Sequence, residues 1–484
     1  MGCARFGYET LDDFELAPRS NTTALDGGTL AGAGGSGDSN VSVGAAGAAG
    51  GSGCVGPGCT GAEEACREPT ALASCAPECA GSGVACIAQD AGDGIPSDAS
   101  GGTPTPCSDV ACGPRQSCTE SQGTAACVCN DDPACAGSAG NVCSGPSIAA
   151  TCARDADTCL YVESTLPCTL GGLCQSGACQ PVTLASGQAR PSSGLAVDGN
   201  NVYWASFQTP GTVRRRSLAG GSPVTLASNQ DMPLGLSVSA SNVYWVNRVS
   251  AGSVRTVSIG GGAASQLATG LFPEDVVIDA THCYWTNGGD AGPPGNGSVR
   301  KTPLAGGTAQ TLASNQRGPS DLMLDATHVY WTNYGDGAAG AGTVRKVPRN
   351  GGTVVTLASN RTGAAGLAVD GSNVYWTDLE GGTVSSVSVN GGTVTTLATG
   401  QDLPRFIALD ASHIYWTTRG TNAANFTDGA VLSLPLAGGT PSVLASGQNG
   451  AAGITVDAAN VYWTTNGTAA SGFSNGTVMA VAKR

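Results

Sequence analysis

The clearest pattern along the chain is a short apolar run that does not alternate. In Asn373-Val374-Tyr375-Trp376-Thr377, Val374 and Trp376 face one way in an extended strand and Tyr375 faces the other. A sheet with one wet face alternates apolar and polar residues. This strand therefore predicts a sheet covered on both sides. Its surroundings divide into three more short strands. Strand A is apolar and ends in aspartate, as in Gly366-Leu367-Ala368-Val369-Asp370. The Tyr-Trp run is strand B. Strand C begins Gly382-Thr383-Val384, and strand D is Thr393 to Ala398, reached through Asn390-Gly391-Gly392. Asn-Gly and Gly-Gly supply the positive φ angles that a tight hairpin needs.

The unit repeats. Tyr-Trp pairs end at Trp204, Trp245, Trp285, Trp331, Trp376, Trp416 and Trp463, with steps of 41, 40, 46, 45, 40 and 47 residues, and they hold every tryptophan of the protein. Periods of this size with four strands each predict propeller blades. The array opens with a lone D-type strand, Pro181 to Ala185, and stops after A (Gly453 to Asp457), B (Val461 to Thr464) and C (Gly476 to Val481). The first strand then fills the vacant place in the last blade. The fold class expected is all-β, a seven-bladed β-propeller over residues 180–484 closed by an N-terminal outer strand. Closure removes exposed strand edges.

The sequence ahead of the ring differs in kind. Residues 1–53 are rich in Gly, Ala, Ser and Asp, with little to bury, and predict a disordered tether. Of 20 cysteines, 18 lie between Cys54 and Cys179, in three groups of six. These predict small disulfide-rich modules at 54–86, 107–135 and 143–179, with a linker at 87–106. Three bridges within each group are expected to be their main support. Zinc is the rival reading, but CxxC spacings and histidines are missing there. The remaining pair are Cys3 and Cys283; the latter replaces Val in a strand B slot and reads as a buried apolar residue.

Charge sharpens the division. The formal net charge is −14, with 20 acidic and 5 basic residues before position 181 and 16 and 17 from there on. Neither part carries a basic nucleic-acid footprint. There is no apolar run long enough for a membrane-spanning helix.

Several resemblances follow from these motifs. The Tyr-Trp-Thr signature resembles the YWTD repeats of low-density-lipoprotein-receptor-type propellers, with Tyr375-Trp376-Thr377-Asp378 the full match and Asn287 and Asn333 in place of the aspartate elsewhere. That family has six blades, whereas the strand count here gives seven. The spacing Cys107, Cys112, Cys118, then Cys127-Val128-Cys129 and Cys135 resembles an EGF-like module. The third cysteine group resembles the Cys-rich units that precede propellers in secreted myxobacterial proteins. Met1-Gly2-Cys3-Ala4 resembles the end of a bacterial lipobox, which implies a lipid anchor at Cys3 and a membrane-attached, extracytoplasmic protein.

Candidate chemistry thins out when placed on the repeat. His282, His328 and His413 each precede strand B, where the other blades have Asn201, Asn242, Asn373 and Asn460. They are expected to be turn residues tolerant of the left-handed region, which removes the usual general base. Asp198, Asp279, Asp325, Asp370, Asp410 and Asp457 end strand A and are expected to accept backbone N–H groups across the A–B turn. Arg214, Arg255, Arg300 and Arg345 share one slot in strand C of four blades and are expected to pair with nearby acids or carbonyls. Length variation lies in the B–C loops, on the same face as the D–A loops. The D–A loops carry Arg190, Asp231, Phe272, Glu274, Arg317, Arg361, Arg405 and Phe406, the candidate ligand-binding residues around a central mouth. No catalytic constellation, cofactor site or metal site emerges. The expectation is a monomeric binding protein for a protein or glycan. One alternative is a lyase-type propeller enzyme with a divalent metal held by Glu274 and Asp231 at the mouth; the other is a structural surface protein with no discrete ligand.

Overall fold

Two-sided burial of strand B decides the architecture. In the computed structural model, Trp204, Trp245, Trp285, Trp331, Trp376, Trp416 and Trp463 are all completely buried. The structure describes residues 116–121, 124–129, 131–135, 139–154, 159–289 and 295–483. The tether, the 54–86 module, the 87–106 linker and Cys3 lie outside the described residues.

Seven four-stranded antiparallel sheets follow one another, and the ring is the predicted seven-bladed propeller. Blade 1 comprises A (Pro191–Val197), B (Asn201–Ser206), C (Gly211–Ser217) and D (Val224–Gln230). Blade 7 comprises A (Ala451–Val456), B (Asn460–Thr465) and C (Gly476–Ala482), with Val182–Gln188 as its outer strand. The closing pairs are Gly476 with Gln188, Val478 with Ala185, Met479 with Thr183 and Ala480 with Val182. The A strands are innermost and each touches the next around the ring, the last touching the first.

Each seam between blades is built from the two faces of strand B. Tyr203 of blade 1 packs with Trp245 of blade 2, Tyr330 with Trp376, and Tyr462 of blade 7 returns to Trp204 of blade 1. The threonine after the Tyr-Trp pair stitches the same seam. Its hydroxyl donates to a carbonyl of the following blade: Thr286 to Ser320 at 2.7 Å, Thr332 to Ala365 at 2.6 Å, Thr377 to Arg405 at 2.8 Å, Thr464 to Ser192 at 2.9 Å. Cys283 is fully buried in its strand B slot, as expected, and burial pushes its thiol far up.

Ahead of the ring, Gln116–Ser121 and Thr124–Cys129 form a hairpin, and Gly140–Gly145, Ile148–Arg154 and Leu160–Pro167 form a three-stranded sheet. Disulfides join Cys135 to Cys152, Cys143 to Cys174 and Cys168 to Cys179. The first of these corrects the expectation that each cysteine group closes on itself. Cys135 ends the second group and Cys152 belongs to the third. The short turn Pro133–Cys135 packs its last residue under the three-stranded sheet, where Cys152 and Leu160 are also buried, so the bridge forms across the group boundary. Cys168 and Cys179 pack with Ala149 against Ala482 of the last ring strand. Thr169 donates a hydrogen bond to Asn460 of blade 7.

Candidate binding face

Two faces of the ring have different chemistry. On one, the C–D turns are glycine pairs with positive φ, such as Gly351 (85°) and Gly352 (138°). The A–B turns share this face. Here the strand A aspartates accept backbone N–H groups as expected: Asp325 Oδ1 takes those of Thr327 at 2.6 Å and His328 at 2.7 Å. Sequence reasoning missed their second partner. The tyrosine of the same blade donates its hydroxyl to the other oxygen, at 2.6 Å for Tyr330 and Asp325 and 2.9 Å for Tyr284 and Asp279. Burial alone raises such a carboxyl, but the hydrogen bonds outweigh it and leave Asp279 and Asp325 at about 2.

The three histidines sit on this turn-bearing face, one per blade. Their expected left-handed backbone is not found. His282, His328 and His413 are the first residues of extended B strands, and their role is to bond the A–B turn. Each ring Nδ1 meets a hydroxyl, of Thr281, Thr327 or Ser412, at 2.7–2.8 Å. The arginine arc is drawn into the seams. Arg214 and Arg345 donate to Gln188 and Gln316 at 3.1 and 3.3 Å, Arg255 donates to the Ala264 carbonyl, and Arg300 stacks on Trp285.

The opposite face carries the D–A corners and the long B–C loops. Each corner has one residue in the left-handed region: Arg190, Met232, Phe272, Gly318, Gly363, Leu403 and Gly450. Its carbonyl accepts the N–H of the residue that follows strand B of the same blade, for example Phe207 to Arg190 at 2.9 Å and Tyr334 to Gly318 at 2.8 Å. This bond ties corner and loop together in every blade. Four of the seven corners use a residue with a side chain where glycine would adopt the angle freely.

The predicted site residues all lie on this face, with varied commitments. Glu274 is paired with Arg248 at 2.6 Å, both largely buried. Arg317 is exposed and meets Asp336 at 3.1 Å. Arg361 reaches Asp378 at 3.6 Å and the Ser359 carbonyl at 3.1 Å. Arg190 lies between Phe207 and Phe473, 5.4 and 5.0 Å from their ring centroids. Phe272 is stacked by Arg248 at 6.0 Å, and Arg405, itself buried, lies 5.1 Å from Phe406. Asp231 is exposed.

Three features of this face escaped the sequence reading. Arg419 stacks on Phe426 at 4.0 Å. With it, each of the five ring phenylalanines lies against an arginine; Phe272, Phe406, Phe426 and Phe473 stay partly exposed towards the loop-bearing face, whereas Phe207 is completely buried in a core cluster. Tyr334 donates to Glu380 at 2.8 Å. The third is a carboxyl pair on the inner strands. Asp275 accepts the N–H of Leu322 in the next blade at 3.2 Å, and Asp321 accepts that of Leu367 in the blade after at 2.8 Å. The two carboxyls also hydrogen-bond each other, and burial beside Asp275 holds Asp321 well above the ordinary carboxylate range. The slot is tight: a Cβ on Gly235 would lie 2.6 Å from Asp275, which explains the glycine there. Among the described residues no group of three or more His, Cys, Asp or Glu side chains is placed to hold a metal ion.

No protein-family model matches the chain, and no curated protein matches it. Solved structures similar to it include a nidogen/laminin complex, at 18% identity and a TM-score of 0.39, covering 49% of this chain and 89% of that one. A catalytically inactive virginiamycin B lyase from Staphylococcus aureus with quinupristin is similar at 12% identity and a TM-score of 0.49, covering 62% of this chain and 98% of that one. The computationally designed Ika8 protein is similar at 15% identity and 0.43, covering 59% and 83%. The propeller assignment rests on the strand pairings of the ring itself.

Proposed function

We propose that this chain is an exported, non-enzymatic binding protein that engages a protein partner through the loop-bearing face of its propeller. The observation that carries this reading is that the four ring phenylalanines left partly exposed, Phe272, Phe406, Phe426 and Phe473, all lie towards that face, each beside an arginine. Arginine and large aromatic side chains are enriched at protein–protein contact sites and dominate their energetics. Most of them are held here on loops and corners tied to a closed ring, where binding residues commonly reside, and Arg405 and Phe406 stand near the start of an inner strand. A protein partner suits this surface better than a glycan, because the rings lie against guanidinium groups instead of forming open stacking platforms. Export is supported by the disulfides ahead of the ring.

The test is capture of a partner from envelope extracts by the full chain, compared with a variant whose long B–C loops are shortened to the length found in blade 5. Loss of the captured partner is expected. Undiminished capture by the trimmed variant would overturn the reading, and absence of any partner favours a structural surface protein. The lyase-type alternative predicts a divalent metal retained by the purified chain and lost in E274A. Against it, Glu274 is already committed to Arg248.

A further inference from the structure

Two of the seven D–A corners are built from nearly the same four residues. Gln230-Asp231-Met232-Pro233 leads into blade 2, and Gln401-Asp402-Leu403-Pro404 leads into blade 6. The place of the aspartate is taken by Ala189, Leu271, Arg317, Thr362 and Asn449 in the other five. Met232 and Leu403 adopt the left-handed region, with φ of 49° and 53°. A bulky residue is unfavourable there and persists only when its surroundings impose it. Here the imposing bond is the same twice over. The Met232 carbonyl accepts the Arg248 N–H and the Leu403 carbonyl accepts that of Arg419, each at 3.1 Å. Met232 and Leu403 are half-buried, while Asp231 and Asp402 stand exposed. Among the described residues, neither carboxylate is given a hydrogen bond or an ion pair. The arginines of these two blades on this face are engaged elsewhere: Arg248 with Glu274, Arg419 on Phe426 and Arg405 beside Phe406, the last two buried.

The two corners also share their access. The B–C loop of the blade before each is short, from Ser206 to Gly211 in blade 1 and from Asp378 to Thr383 in blade 5. Long loops reach over the corner that follows them. The Phe473 carbonyl of blade 7 accepts the Arg190 N–H at 2.8 Å, and the Phe426 carbonyl of blade 6 accepts that of Gly450 at 2.7 Å. Tyr334 of blade 4 lies so close to Gly363 that a Cβ there would be 3.0 Å from its ring. Asp231 and Asp402 escape such cover. Blades 2 and 6 stand across the ring from each other, three blades apart by one route and four by the other.

Building on the binding reading above, we propose that the partner is held at two points, the Asp231–Met232 and Asp402–Leu403 corners, by a polypeptide segment that crosses the mouth and sets a lysine or arginine on each. Such side chains carry an apolar stem beneath a charged head. The stem lies along Met232 or Leu403, and the head meets the neighbouring carboxylate. Two open corners of one sign select a basic segment and reject an acidic one.

A random peptide display library panned on the full chain at low salt tests this. Enriched peptides are expected to carry two separated Lys or Arg residues. A synthetic copy of one should bind about threefold more weakly to D231N or D402N and about tenfold more weakly to D231N/D402N, the loss of two independent exposed ion pairs. Asparagine matches aspartate in shape and both positions are exposed, so these variants keep the fold. Raising the salt should weaken wild-type binding and affect the double variant less. E163Q, which removes an exposed carboxylate of the module ahead of the ring, should change affinity by no more than about twofold. Enrichment of acidic or uncharged peptides, no enrichment over bare matrix, equal binding to the double variant, a loss confined to one corner, or an equal loss in E163Q each overturns the proposal. So does self-association of the chain that D231N/D402N abolishes, which would put a second copy in the partner's place. Capture from extracts that depends on the long B–C loops but is unchanged in D231N/D402N removes the two corners while leaving the binding reading intact.

Discussion

Two kinds of aspartate in this ring are driven in opposite directions by their neighbours. Asp325 is only partly enclosed and receives a tyrosine hydroxyl and two backbone N–H groups, so its charged form is favoured and its pKa falls to about 2. Asp321 is enclosed beside a second carboxyl, so its neutral form is favoured. The stability consequences differ in sign. Asp325 supports the fold above the ordinary carboxylate range, and that support is lost as pH falls through about 2. Asp321 supports it most at pH below the ordinary carboxylate range, and that support fades as pH rises through its raised pKa. Replacing Asp321 with Asn mimics the neutral acid: its amide oxygen accepts the Leu367 N–H and its NH2 donates to Asp275. D321N is therefore expected to melt at least about 2 °C higher than the wild type at pH 8, and no higher at pH 4. Melting curves at the two pH values check this. Y330F should cost about 1.5–3 kcal/mol at neutral pH, the usual worth of a hydrogen bond to a charged group, read by denaturant unfolding.

At the scale of the element, the seams depend on a bond that pattern alone did not reveal. The outer strand of one blade ends in glutamine, and that side chain serves the next blade's tryptophan. Gln188 accepts the Trp204 indole N–H at 3.1 Å, Gln316 that of Trp331 at 3.1 Å, and Gln448 that of Trp463 at 2.9 Å. The same amide donates back to the carbonyl two residues earlier, 2.6 Å for Gln316 to Ser314. A left-handed Asn or Gly just before the glutamine, such as Asn315 or Gly187, shifts the C–D register and aims the side chain across the seam. Where glutamine is missing, the blade supplies its own acceptor: Asn287 for Trp285, facing Gly270, and Asp378 for Trp376, facing Arg361. Q316A is expected to cost about 1–3 kcal/mol by removing the acceptor of the buried Trp331 indole N–H. W331A should cost about 3–5 kcal/mol through the cavity it opens. Both are measured by denaturant unfolding, and a Q316A loss equal to that of W331A would contradict this division. Strand B and its seven copies were legible because burial on both faces is written in three adjacent residues. The glutamine bond was not, because it joins residues 15 apart on different blades and depends on a bulge that shows only as a Ser-Asn or Ser-Gly pair. The histidines misled for a related reason. Their slot adjoins a turn but is extended, whereas side chains as large as Arg190 and Phe272 adopt the left-handed region at the D–A corners, a position suited to glycine.

For the whole molecule, the question is what keeps a ring of like blades closed. The seam between blades 7 and 1 has the same Tyr–Trp core as the others, but its outer strand comes from the N-terminal side of the ring. That strand starts three residues after Cys179, and the Cys168–Cys179 bridge packs on Ala482, the last residue of the strand it pairs with. Module and closure are therefore one piece of structure. Reducing the bridge releases the constraint on the short loop it closes, worth about 2–4 kcal/mol to the module when loops of similar length are cross-linked. Part of that loss should reach the ring through Ala482, Thr169 and Asn460. The tryptophans allow the two to be separated, since all seven lie in the ring and the module has none. C168S/C179S is expected to lower the midpoint of the tryptophan-fluorescence melt by several degrees, and added reductant should lower that of the wild type in the same way. A tryptophan melt indifferent to both would show that the module rides on the ring without helping to close it.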